Sequence, residues 1–449
     1  MKHLGIEYAL NYPLFKAIYE RRSRRISKGI KEVRAGSLTY TSNQKPQQLE
    51  PLEEALLILV AMGFTGRTTP DRPFQDEQNK NIMATPNLHM IGRSAGSPDN
   101  AQGTYFFLIN DSGTYFLRRP QDREPIDIYN TEPEKLVEFA EACKQKLLDQ
   151  RLGMPRQMPY YIGSNRFVSN VEGSTILMPI VDVTWQYING LMFLLTQPDG
   201  QRPAFTDEMK FNRYAGVKKW VKSGYLNKDM KIPLGMLEAM RTQLEAPLLL
   251  QNLMLVLQAM GLGGWIHASF PGSVITGVPK TNFKIAFQFD YQKPRFKLSN
   301  ILNWLTYSHG VRPNPVGLDG VFQGLCPPYV KTMSDAVDKV IAEKYDAKRG
   351  VYSDKVYFEE IFKKEGLAED YIKQVPHYPA EVIEVTKDVC NYIYDTYGRF
   401  PAHTDAVNIP GVWLQAHHVD LDYYDHLFRD AYTEVNAMHQ EAWHGENHV

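Results

Sequence analysis

Apolar side chains recur at Leu52, Ala55, Leu56, Leu59 and Val60 of the segment Pro51–Met62, PLEEALLILVAM. That i, i+3, i+4 spacing predicts a helix with one buried face. A second helical segment is predicted from Pro13 to Glu20, since proline suits a first helical turn. Glu132 to Gln150 reads as an amphipathic helix, and Ala246 to Met260 as a buried one that stops at Gly261, a suitable C-terminal glycine. The apolar run Pro247–Met260 contains Gln251, Asn252 and Gln258 and is too short to span a bilayer. Strand patterns occupy Thr104–Asn110, TYFFLIN, and after the turn DSG the returning TYFLRR; they form a hairpin. STILMPIVDVTW from Ser174 predicts a buried strand or strand pair, and Phe283–Tyr291 alternates like a strand. Gly63 to Pro98 is rich in Gly, Pro, Asn, Thr and Arg and reads as a long functional or mobile loop. The texture from Pro198 to Met230 suggests an insertion or lid. Helical patterns return at Thr332–Tyr345, Val356–Glu365 and Ala380–Tyr397. The expected fold class is α+β: a core over residues 1–300 with insertions near 64–92 and 150–245, then a mostly helical extension over 301–449.

Composition narrows this modestly. The chain has 449 residues, of which 43% are apolar and 12% aromatic, enough for large cores in two or three domains. A net charge of −1 argues against broad nucleic-acid or anionic-membrane binding. The three cysteines, Cys143, Cys326 and Cys390, are odd in number and far apart, which fits a reducing compartment better than a disulfide framework. The opening MKHLGIEYALNYPLF lacks an apolar signal-peptide region. A soluble cytoplasmic protein is the expectation, with neither nucleic acid nor membrane as partner.

Candidate chemistry begins at Arg21-Arg22-Ser23-Arg24-Arg25. Four guanidinium groups and a hydroxyl in one stretch can hold a phosphate, because arginine offers paired planar donors and a charge that does not titrate away. Alone, the same cluster reads equally as a basic solvated tip or a nucleic-acid arm.

Two further segments follow it: Ala95–Asp111, AGSPDNAQGTYFFLIND, and Ala246–Ser269, APLLLQNLMLVLQAMGLGGWIHAS. Together the three resemble the nitroreductase-like flavoprotein family, whose members carry R-x-S-x-R/K, then A-P-S-S-x-N-x-Q-P-W running into a strand, then a buried helix ending in G-L-G. Ala95, Ser97, Asn100 and Gln102 fall on the second pattern at its spacing, and Gly261-Leu262-Gly263 on the third. Departures are the intervening segment Gly63–Ile91, Gly96 in place of Pro, and Gly103-Thr104 in place of Pro-Trp. The resemblance implies a central, mainly antiparallel sheet flanked by helices, and FMN bound noncovalently at the interface of a homodimer. It implies that Arg21, Ser23 and Arg25 hold the phosphate and ribityl chain, with Arg22 adding a contact. Ser97, Pro98 and Asn100, with Gln102 in the same motif, would reach the flavin from the other subunit. Ile266, His267, Ala268 and Ser269 would line the isoalloxazine, while Gly261, Gly263 and Gly264 allow close backbone approach. A redox-active ring needs such apolar walls and a few fixed hydrogen bonds.

The implied activity is reduction of a small electron-poor or aromatic substrate, with NAD(P)H visiting the flavin as a transient donor; no Rossmann fingerprint marks a resident dinucleotide. An FMN-dependent oxidase or dehydrogenase acting on a peptide or specialised metabolite is the alternative, and a non-enzymatic binding protein on the same fold a third. No catalytic side chain is assigned, since flavin carries the electron transfer. Seven of the twelve histidines lie from His403 onward, beside Asp420, Asp422 and Asp425. They fit no tight metal motif, so a polar tail with some hydrogen-bonded histidines is expected and no metal ligand is assigned. Trp185, Tyr187, Phe193 and Trp220 are expected in the core, as is Cys326.

Overall fold

A computed structural model describes residues 3–445 other than 35, 73, 75–84, 119–124, 159, 240–241, 270, 278–286, 296–300 and 306–308. Its helices are α1 (Leu4–Asn11), α2 (Leu14–Glu20), α3 (Pro51–Met62), α4 (Pro133–Cys143), α5 (Asn165–Val168), α6 (Thr184–Leu195), α7 (Lys218–Lys222), α8 (Glu245–Met260), α9 (Gly272–Thr276), α10 (Ile301–Leu305), α11 (Met333–Tyr345), α12 (Lys355–Ile361), α13 (Leu367–Gln374), α14 (Ala380–Tyr397), α15 (Leu421–Leu427) and α16 (Glu434–His444). Among the described residues no helix is long and apolar enough to cross a membrane.

The hairpin predicted at Thr104 forms the middle of the main sheet. Strands β3 (Thr104–Asn110) and β4 (Gly113–Leu117) pair antiparallel, and β5 (Lys144–Leu148) adds beyond β4. On the other side β6 (Thr175–Asp182) pairs with β3, β15 (Trp413–His417) with β6, and β10 (Gly263–His267) with β15 at the edge; every pairing is antiparallel. The short β14 (Val407–Asn408) pairs with the end of β6. Side chains alternate across a strand. Phe106 and Leu108 therefore pack under α3, α4 and α8, whereas Phe107 and Ile109 meet Phe287, Phe289 and Trp413 on the opposite face. With both faces covered, β3 and β6 read as continuous apolar runs. Three smaller sheets surround this one: β1 (Phe64–Arg67) with β2 (Ile91–Arg93); β7 (Pro203–Asp207) with β8 (Arg213–Tyr214) and β9 (Asn227–Pro233); and β11 (Asp290–Gln292) with β12 (Asn314–Leu318) and β13 (Phe322–Gln323). The whole is a mixed α+β protein with mainly antiparallel sheets flanked by helices.

Four expectations change. The helix expected through Gln150 stops at Cys143, because Lys144 onward joins the ladder of β4 and its ammonium pairs with Glu54 at 2.5 Å and Glu141 at 2.6 Å. The Pro198–Met230 segment, read as an insertion or lid, is anchored in part: β7 is buried throughout, and Phe205 packs with Leu191, Val389 and Tyr397 in a second core built on α6, α11 and α14, while α7 and most of β9 stay exposed or half-buried. The Gly63–Pro98 loop contains the β1–β2 pair, with 73 and 75–84 outside the described residues. A boundary at residue 300 does not divide the hydrogen bonding, since β15 lies between β10 and β6. Residues 283–286 of the strand expected at Phe283 lie outside the described residues, and β11 forms at its end.

Helix α8 ends as its sequence predicts. Gly261 adopts a left-handed conformation with φ 79°, and an added Cβ would meet the Val435 carbonyl oxygen at 2.3 Å. Gly261→Ala therefore combines a strained dihedral with a backbone clash between α8 and α16, each costing about 1–3 kcal/mol. Urea unfolding of this variant is expected to show a clearly lower midpoint with an unchanged slope.

Candidate cofactor site

The arginine cluster and the β10 segment come together in the structure. After α2 the chain from Arg21 to Ile26 is neither helix nor strand, and burial alternates from Ser23 to Ile26. Arg24 and Ile26 turn inward and are buried. Arg24 donates from Nε to the Ala431 carbonyl and from Nη1 to Gln258 Oε1, both at 3.1 Å, which locks the segment to the C-terminal end of α8. Ser23 and Arg25 therefore face out. The backbone N–H of Arg25 donates to Tyr424 Oη at 2.8 Å, and its guanidinium lies 5.4 Å from the Trp265 ring centre. Arg22 turns back and donates to the Tyr19 and Arg21 carbonyls at 2.8 and 2.9 Å, covering the C-terminal end of α2. Arg21 is half-buried at that helix end.

Strand alternation splits the expected flavin wall. Ile266 and Ala268 are exposed on one side of the edge strand; Trp265, His267 and Ser269 are buried on the other. His267 Nδ1 lies 2.6 Å from Ser269 Oγ, and the ring stacks on Trp265 at 3.9 Å and meets Trp413 edge-on at 5.6 Å. Burial pushes the His267 pKa down to about 3, aided by the charges of Arg25 and His417. The four residues thus cannot line one ring face together. The glycines also have internal partners. A Cβ on Gly264 would strike Leu257 Cδ1 at 2.3 Å, and one on Gly263 would come within 2.9 Å of His417 Nε2, so their close approach is to α8 and β15.

The second motif lies at the other end of α8. Ser97 Oγ donates to Glu245 Oε1 at 2.5 Å, while Glu245 Oε2 accepts from the Thr104 N–H at 3.0 Å and its hydroxyl at 2.9 Å. Asn100 Nδ2 donates to the His89 carbonyl at 2.9 Å and Thr68 Oγ1 at 3.1 Å; Gln102 Nε2 donates to the Ile91 carbonyl at 3.1 Å. Pro98 begins a single 3₁₀ turn in which Asp99 and Asn100 take φ of 50° and 51°, and Gln102 follows with 52°. Three non-glycine residues in the left-handed region mark a strained, tightly held segment. Glu245 and Gln258 are separated by about 20 Å along the helix at 1.5 Å per residue. One chain therefore unites the first and third motifs and keeps the second apart.

Sequence reading missed Arg24 and Trp265. Both were open to alternation: Arg24 sits between outward Ser23 and Arg25, and Trp265 two residues before His267. Trp185, Tyr187 and Trp220 pack with the second core as expected, and burial pushes the Cys326 thiol up out of reactive range.

Arg24→Met is expected to lower the unfolding free energy by about 3 kcal/mol, since two charged hydrogen bonds are lost and Gln258 loses its guanidinium donor. Arg22→Ala, on the surface, should stay within about 0.5 kcal/mol, and paired denaturation curves compare the two. His267 is held neutral in the fold, whereas the unfolded chain binds its proton near pH 6.5. Its contribution to stability is therefore intact above pH 6.5 and lost as pH falls toward about 3. His267→Phe should flatten the acid limb of unfolding free energy against pH in that window.

No protein-family model matches the chain and no curated protein matches it, so its function is read from these side chains.

Proposed function

We propose that the chain is an FMN-dependent oxidoreductase that works as a homodimer with a nitroreductase-like flavin site. Reduced nicotinamide would serve as transient electron donor and a small electron-poor or aromatic molecule as substrate. The observation that carries this reading is the Arg21–Arg25 segment. Arg24 is buried as a clamp, which presents Ser23 and Arg25 outward beside Trp265, and no carboxylate pairs with Arg21 or Arg25 among the described residues. Un-neutralised guanidinium groups on a fixed backbone suit a phosphate dianion. Bound flavin would supply the two-electron transfer. The chain's own residues would grip its phosphate through Arg21, Ser23 and Arg25 and offer Ile266 and Ala268 as apolar contacts.

The homodimer is supported by an apolar face that the single chain leaves uncovered. On α2, Leu14, Phe15, Ile18 and Tyr19 are 63%, 74%, 45% and 74% exposed; Leu244, just before α8, and Leu248, in its first turns, are 51% and 48% exposed. Exposed apolar groups clustered on one short helix, as on α2, are the mark of an interface. A two-fold pairing that set the α8 helices side by side in opposite directions would bring Ser97, Pro98 and Asn100 of each subunit toward the arginine segment of its partner.

The purified protein should be yellow and release FMN on heating. Arg21→Ala combined with Arg25→Ala should cost about 3–6 kcal/mol of cofactor affinity, from the loss of charged hydrogen bonds worth about 1.5–3 kcal/mol each. That is at least a hundredfold in Kd, read by flavin fluorescence. A colourless protein that FMN cannot reconstitute refutes the proposal and favours a binding protein without flavin, whereas full FMN content in the double variant refutes the assignment of Arg21 and Arg25 as the phosphate grip.

A further inference from the structure

Two clusters of metal-capable side chains occur among the described residues: Glu53 with His418, His439 and His444, and Asp207 with Glu208 and His403. The second has a single imidazole and its carboxylates are largely engaged, though Glu208 Oε2 and His403 Nε2 make no directed hydrogen bond. Asp207 accepts from the Tyr392 and Tyr397 hydroxyls, and Glu208 Oε1 accepts from the Gly235 N–H at 2.7 Å.

Glu53 lies in the first turn of α3, His418 directly follows β15, and His439 and His444 lie on α16. Glu53, His418 and His439 are at most 4% exposed. One nitrogen of each ring faces an acceptor outside the four residues: His439 Nδ1 the Met260 carbonyl at 2.7 Å, His418 Nε2 the Gln48 carbonyl at 3.1 Å, and His444 Nδ1 Glu50 Oε1 at 2.7 Å; His418 Nε2 also lies 3.4 Å from Glu53 Oε2. A neutral ring that donates through this outer nitrogen keeps a lone pair on the other, which is the form that can ligate a metal. Those inner nitrogens converge. His439 Nε2 is 3.0 Å from His418 Nδ1 and 2.9 Å from Glu53 Oε1, and His444 Nε2 is 3.3 Å from the same oxygen. Gln440 Nε2 also approaches His418 Nδ1, at 3.3 Å, as it would an acceptor. Glu53 Oε2 accepts from the Glu50 N–H at 2.7 Å, whereas Oε1 and His444 Nε2 are enclosed and make no directed hydrogen bond. Four possible ligand atoms thus face one another in a buried cluster, where either ring protons or a bound cation must balance the Glu53 carboxylate.

We propose that Glu53 Oε1, His418 Nδ1, His439 Nε2 and His444 Nε2 form a binding site for a divalent transition-metal ion, zinc by preference. Three imidazoles and a carboxylate suit zinc, and four protein ligands leave no open position, so the site is structural, not catalytic. The outward hydrogen bonds to Met260, Gln48 and Glu50 are the kind of outer partners that orient ligating histidines. The ion would tie α3, near the start of the chain, to the end of β15 and to α16.

The full chain is stripped with chelator, dialysed, and titrated with zinc chloride while metal content and melting temperature are measured. The expected result is one zinc per chain and a rise in melting temperature that grows with free zinc. Cobalt(II) in its place should give the visible absorption of a four-coordinate site. His444→Gln, at the less buried end of α16, should weaken zinc uptake by more than the ~100-fold that loss of an outer partner costs. Failure of the folded wild-type chain to take up zinc or cobalt overturns the proposal, as does uptake unchanged in His444→Gln. The readout is metal content, so it is independent of whether flavin binds.

Discussion

The constraint on which the rest of the structure depends is that helix α8 carries a buried carboxylate at its first residue and a buried amide near its last. Buried polar groups must find partners, or the fold bears their full desolvation cost. Glu245 finds Ser97 and Thr104, which pins the loop before β3 to one end of the helix. Gln258 accepts from Arg24 and donates to Thr433 at 3.0 Å, which pins the arginine segment and the start of α16 to the other end. The helix therefore acts as a spacer of fixed length between two chemically distinctive segments. The proposed homodimer is the arrangement that lets one site use both segments, with the exposed apolar residues of α2 as its contact.

The same logic explains which parts of the fold were legible in the sequence. Helices α3 and α14 follow their apolar period, and α8 begins one residue early, at Glu245, and ends at its glycine; periodicity and end signals are local. The β3–β4 hairpin was legible for the same reason, because its turn is encoded between its strands. What could not be read locally were pairings across long chain separations. Lys144–Leu148 continues the polarity of α4 yet becomes a strand because β4 offers it a ladder. Trp413–His417 looks like part of a histidine-rich tail yet completes the main sheet.

In the candidate site the arginine residues were visible as residue types, but their roles were set by alternation. Arg24 is buried and Arg25 exposed, so the internal clamp and the proposed grip are neighbours in sequence with opposite orientations. Alternation likewise divides Ile266 and Ala268 from His267 and Ser269. A motif matched by position treats such neighbours alike; the pleat of the strand does not. Glu53 shows a further limit. Its spacing after Glu50 marks a helix-start carboxylate, and one oxygen does accept the Glu50 N–H, but nothing near it in sequence announces three histidines arriving from residues 418–444.

The last segment of the chain is what gives the arginine cluster its shape. Tyr424 Oη accepts the Arg25 N–H, the Ala431 carbonyl accepts Arg24 Nε, and the His418 carbonyl accepts the Lys28 N–H at 2.8 Å. His418 therefore faces two ways: its carbonyl holds the strand that follows the arginines, and its ring faces Glu53 and His439. The C-terminal segment thus fixes the backbone in and after the arginine cluster through the Tyr424 hydroxyl and the Ala431 and His418 carbonyls, so that the shape of a segment near Arg25 is set by His418 and residues beyond it.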